Sequence, residues 1–188
     1  PGLITIEATA VEAAGRITHG CTGLYSDENE KEMQRVIKFC KSVGHSKVAI
    51  QLGHAGRKAS SQRPWEGGNS LNKEDSWLTY SSSPNAFSEG WHTPVELDDL
   101  GLKRVKDKFV EATLRSVRMG VDAVELHSAH GYLLHQFLSP ICNERTDSYG
   151  GSFDNRIRYP LELLEAVKEV LPNEIPLIMR VSATDWVD

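Results

Sequence analysis

No apolar run in this 188-residue chain is long enough to cross a bilayer, and no secretory leader is visible. Paired cysteines are missing as well. Cys21, Cys40 and Cys142 are odd in number and show no CxxC spacing, which argues against a disulfide framework, and a reducing, cytoplasmic setting is expected. Clustered positive charge is absent: 21 Lys and Arg against 26 Asp and Glu are spread along the chain, for a net charge of −5. That argues against nucleic acid or an anionic membrane as partner. No GxGxxG follows a strand-like run, which removes the usual mark of an open dinucleotide-binding sheet. There is no initiator methionine, no repeat and no low-complexity tract. The sequence opens in "PGLITIEATAV" and closes in "PLIMRVSATDWVD", both strand-like, so residues 1–188 are expected to be one partial domain of a longer protein.

What is present is a βα rhythm. Leu3–Ile6, Val48–Leu52, Ala123–Leu126 and Leu177–Val181 are continuous apolar runs, as in parallel strands covered on both faces. Helical patterns separate them. Asp27–Val43 has acids early and lysines late, with Met33, Val36, Ile37, Cys40 and Val43 as an apolar stripe and Gly44 as the C-terminal turn. Lys103–Met119 ends at Gly120, and a third helix runs from about Phe153, capped by Ser152, to Leu171, with Pro160 expected to kink or restart it. The segment 54–101 is too long for a plain connection and reads as a lid or binding loop, carrying Trp65, Trp77, Trp91 and the serine run Ser81–Ser83. The fold expected is α/β, a (β/α)8 TIM barrel of which about four βα units are present.

Chemistry gathers where the runs stop: Glu7-Ala8, Gln51, His127 with His130, and Arg180. In a barrel these C-terminal strand ends converge on one face. Each has a plain structural reading. Gln51 can cap a strand, Arg180 can pair with Glu125 or Glu7, the histidines can be satisfied core groups, and Tyr132 can be packing. A zinc site using His127, His130 and either His135 or Glu125 is a further alternative, that of a metal-dependent barrel hydrolase or isomerase. The reading that uses all of them is an oxyanion site. Two neutral imidazoles each donate one N–H to a substrate oxygen, a phenol supplies a proton, and a flavin or nicotinamide supplies the hydride. A truncated, non-catalytic scaffold piece is the third alternative.

The strings "IEATAV…GRIT", "IQLGHAGRKA", "ELHSAHGYLLHQFLSP", "NERTDSYGGSFDNRIRYPLE" and "MRVSATD" together resemble the Old Yellow Enzyme family of FMN-dependent ene-reductases, in its thermophilic-like and fungal branch. The resemblance implies that FMN lies above the barrel's C-terminal face. It implies contact from the Ala8 backbone, Gln51 at the pyrimidine side and Arg180 beside N1. His127 and His130 become the substrate-oxygen pair and Tyr132 the proton donor. NADH or NADPH is the reductant, an activated alkene the substrate, in a ping-pong cycle. The stretch 143–155 is implied to be scaffold. The four strands match the family's second to fifth, so the phosphate-holding half lies elsewhere. None of the three cysteines sits where the family's redox-tuning cysteine would. The chain is expected to need the remainder of its barrel, or to self-associate through its sheet edges, and not to bind FMN tightly alone.

Overall fold

The four apolar runs become one parallel sheet in a computed structural model that describes residues 1–187. In chain order the elements are β1 (Leu3–Ala10), α1 (Asp27–Val43), β2 (Lys47–Gly53), β3 (Tyr80–Ser81), β4 (Val95–Glu96), α2 (Asp99–Met119), β5 (Ala123–Ser128), α3 (Leu133–Leu138), α4 (Phe153–Val170) and β6 (Leu177–Val181). The sheet order is β1-β2-β5-β6, so its strands follow one another without reversal. A doubly wound sheet reverses at a switch point, whereas a (β/α)8 barrel does not. The chain is therefore a segment of a barrel wall.

Register decides which side chains share a face. Gln51, Glu125 and Ile178 are aligned across β2, β5 and β6, as are Leu52, Leu126 and Met179 one residue on. Side chains alternate along a strand, so these two rows point to opposite faces. Leu52 and Leu126 join Leu102, Val105, Phe109, Tyr159 and Leu163 in the core under the helices. Each fully buried leucine there contributes about 2 kcal/mol. The Tyr159 hydroxyl, buried among these residues, donates to the Leu102 carbonyl at 3.0 Å.

Several boundaries differ from expectation for identifiable reasons. β1 does not stop at Glu7-Ala8. It runs on to Ala10 through an irregularity between Ile6 and Thr9, where Ala8 adopts φ 47°. β2 passes Gln51 and ends at Gly53, and β5 continues through His127 to Ser128. α1 has the expected bounds, capped by Ser26 accepting from the Asn29 N–H. Its stripe is not buried as a whole: Ile37 is buried, but Val36, Cys40 and Val43 are exposed. Gly44 is extended at φ −129°, while Gly120 makes the left-handed turn at φ 79°. α2 starts a turn before Lys103 because the Asp98 carboxylate accepts from the Gly101 N–H. α4 is one element through Pro160. The outer strands are not covered on both faces, for Leu3, Ile4, Ile178 and Val181 are exposed. They have sheet neighbours on one side only.

Segment 54–101 contains the short parallel pair β3–β4, and its serines are anchored inside. Ser81 and Ser82 donate to the side-chain and main-chain oxygens of Gln136. Stretch 143–155 is tied into the fold: Asn143 donates to the Phe137 and Tyr149 carbonyls, and Arg145 to those of Ser82 and Leu97.

Candidate active site

Beyond β5 the chain turns sharply. The Tyr132 N–H donates to the Ala129 carbonyl, closing a turn whose central residues His130 and Gly131 are both left-handed, at φ 60° and 72°. A β-turn of that kind accepts glycine freely but strains histidine. The turn is held from several sides. The His130 N–H donates to Ser182 just past β6 (3.0 Å), and the His130 carbonyl accepts from Lys58 Nζ (3.0 Å). Gly131 donates to His135 Nδ1 and accepts from Gln136 Nε2. Gln136 also binds the Ala55 carbonyl and the Arg57 N–H. Gly56 passes so close that a Cβ there would meet the Gln136 amide at 2.3 Å. Glycine is thus required on both counts, since its φ is 62°.

This turn gathers the three expected groups. The His127 and His130 rings stand 5.0 Å apart between centroids, nearly perpendicular, and His127 and Tyr132 5.1 Å apart. His127 lies at the end of β5 in register with Arg180, on the face that also carries Gln51. It is buried, and its Nδ1 has no hydrogen-bond partner among the described residues. Burial first, then the charges of His130, Arg180 and Lys58, bring the His127 pKa down to about 4. It is therefore neutral near pH 7, with one ring N–H to donate. Burial raises the Tyr132 phenol above its usual value, reinforced by Cys21 and Glu7. Ala8, Gly53, His54, His127 and Tyr132 line one small cavity.

The plain structural readings fare unevenly. Gln51 is partly engaged, for its Oε1 accepts from the Ala8 N–H at 3.0 Å and its Nε2 donates to Glu125. Ala8 thus offers its carbonyl rather than its N–H. Among the described residues Arg180 forms no ion pair with Glu125 or Glu7, and it is exposed. No group of three His, Cys, Asp or Glu side chains is placed to hold a metal among those residues. His135, the suggested third ligand, faces Asp185 at 3.4 Å and takes the Gly131 N–H. The donor set suits the edge of a flavin ring: an amide with one N–H to spare, an uncommitted guanidinium and a buried, unpartnered imidazole nitrogen.

Sequence reasoning missed several residues here. Lys58 and Gln136 lie inside quoted strings, but only the turn geometry gives them work. Buried Glu12 and His54 pair at 2.9 Å (His54 Nε2–Glu12 Oε1), and the partly exposed Arg104 joins them at 2.9 Å (Arg104 Nη1–Glu12 Oε2), tying the loop after β2 to α2. Their separation of up to 92 positions hid the group. Among the described residues no helix is long and apolar enough to cross a membrane, and Cys21, Cys40 and Cys142 are all free thiols.

The chain as a whole is similar to known proteins. The sequence model of the NADH:flavin oxidoreductase / NADH oxidase family matches residues 1–188. An NADH:flavin oxidoreductase from Gibberella zeae is 43% identical over 193 residues, covering 100% of this chain and 46% of its own. An NADPH dehydrogenase from Bacillus subtilis is 42% identical, covering 100% and 50%. Among solved structures, morphinone reductase superposes with TM-score 0.79 at 30% identity, over 94% of this chain and 49% of that one. Its complex with tetrahydroNAD gives 0.78 at 29%. The chain spans about half the length of the curated relatives it matches.

Proposed function

The chain belongs to the NADH:flavin oxidoreductase / NADH oxidase family, and from that premise we propose that it forms the substrate side of an FMN-dependent, NAD(P)H-driven reductase of activated C=C bonds such as enones and nitroalkenes. The observation that carries the reading is the packing of His127, His130 and Tyr132 at 5.0 and 5.1 Å around one strand end, on the Gln51 and Arg180 face. The activity belongs to the completed barrel, of which this chain supplies four strands. Self-association and a cytoplasmic setting, where three free thiols stay reduced, are part of the same proposal.

When bound and reduced by NADH or NADPH, FMN would supply the hydride chemistry. Gln51, through its remaining amide N–H, and Arg180, as a permanent cation, would hold the flavin. Ala8 contributes its backbone. His127 and His130 each aim an N–H at the carbonyl or nitro oxygen of the alkene and stabilise the negative charge that grows there as the β carbon is reduced. Tyr132 gives its proton to the α carbon. Reductant and alkene would use this face in turn.

The test is anaerobic. In the flavin-loaded, complete barrel, NADPH or NADH should bleach the flavin and an added cyclic enone should restore its colour, with saturated ketone as product. Restoration by oxygen but by no enone or nitroalkene contradicts the proposal.

A further inference from the structure

Lys58 does something that the oxyanion reading leaves unexplained. Its ammonium lies 4.9 Å from the ring centroid of Tyr132 and 4.9 Å from that of Phe87, a half-buried cation between two aromatic faces. Its Nζ donates to the His130 carbonyl at 3.0 Å. Among the described residues no carboxylate pairs with it. A half-buried cation without a counter-ion is unfavourable unless something nearby uses the charge.

Resting on the function proposed above, we propose that Lys58 is a positioning residue for Tyr132: it ties down the strained His130–Gly131 turn and stabilises the negative charge that Tyr132 acquires on giving up its proton. The step balances simply. The Tyr132 O–H bond breaks with its electron pair left on oxygen, a C–H bond forms at the α carbon, and water later returns the proton to the phenolate. Lys58 remains an ammonium throughout. The α carbon receives only the proton, because the hydride has already gone to the β carbon from the NAD(P)H-derived reductant.

The electrostatic surroundings make this help necessary. Tyr132 faces Cys21, Glu7 and the His127 ring, and burial with the Cys21 and Glu7 charges makes its proton harder to lose. Of the groups around Lys58, namely Arg57, His127, His130, His135 and Tyr132, only the phenol acquires negative charge. Burial and then Arg57 pull the Lys58 pKa below the usual lysine value, while burial first holds the Tyr132 phenol above its own.

Two variants separate this from a merely structural role. Arginine keeps a charge at every accessible pH and methionine removes it. In flavin-free protein with 13C-labelled tyrosine, Tyr132 should lose its proton at lower pH in Lys58→Arg than in Lys58→Met, its signal identified by its loss in Tyr132→Phe. In loaded protein, Lys58→Met should slow enone-dependent flavin reoxidation about tenfold, with flavin reduction by NAD(P)H little changed. Lys58→Arg should restore the rate and move its alkaline decline to higher pH. If Lys58→Met does not fold, Lys58→Gln replaces it. Equal phenol titrations in the two variants, or an unchanged reoxidation rate in Lys58→Met, overturn the inference. If the wild-type protein reduces no enone at all, the functional reading fails, and the titration still decides the role of Lys58.

Discussion

The inner strands β2 and β5 and the outer strands β1 and β6 carry the same kinds of residue into different surroundings. On the inner pair Gln51 and His127 are buried, and burial, followed by the charges of His130, Arg180 and Lys58, keeps the His127 imidazole neutral. On the outer pair Arg180 is exposed, and so are Leu3, Ile4, Ile178 and Val181. A site residue becomes preorganised only where a second strand covers it. His127 is thus set in place by this chain's own strands, whereas His130 and Arg180 are exposed at the rim.

The comparison can be broken first on stability. Leu126→Ala, at a position with no exposure, should cost about 2–5 kcal/mol in denaturant unfolding, while Ile178→Ala on β6, 38% exposed, should cost less than about 1 kcal/mol. Equal losses would mean that the outer strand is as well packed as the inner one. On activity, His127→Ala should lower enone reduction about 10²–10³-fold, since it removes one of two donors to the growing oxyanion. Acidification gives a smaller, signed effect. The unfolded chain takes up the His127 proton near pH 6.5, while the folded chain resists until about 4. In that window the unfolded state binds more protons, so stability falls as pH drops and levels off below it. His127→Gln should flatten that part of the pH–stability curve. Arg180→Ala should be the mildest for folding, within about 0.5 kcal/mol, yet it should weaken FMN binding by the completed barrel.

Much of the fold could be read from local pattern. The bounds of α1 follow from Ser26 and its acidic first turn, and the parallel sheet from four apolar runs. The strand ends were read short because polar residues such as Glu7 and His127 look like loop, yet strand pairing carries the chain past them to Ala10 and Ser128. The α1 stripe is legible as apolar, but periodicity does not say whether a neighbour exists to cover it, and Val36 and Val43 are exposed. The two-residue strands β3 and β4 had no local signal, since long-range pairing alone creates them. At the site, the histidines and tyrosine stood together in sequence and could be found. Lys58 sits 72 positions from the His130 carbonyl that it binds, and Gln136 up to 81 positions from its partners, so only the folded turn reveals them.

The most direct measurement is a structure of the completed, FMN-loaded barrel with an enone-like or phenolic ligand bound. The account predicts the ligand oxygen within hydrogen-bond distance of both His127 and His130, Tyr132 above its α carbon, and Gln51 and Arg180 along one edge of the flavin. A ligand oxygen that meets neither imidazole, or a metal ion held between them, would contradict it.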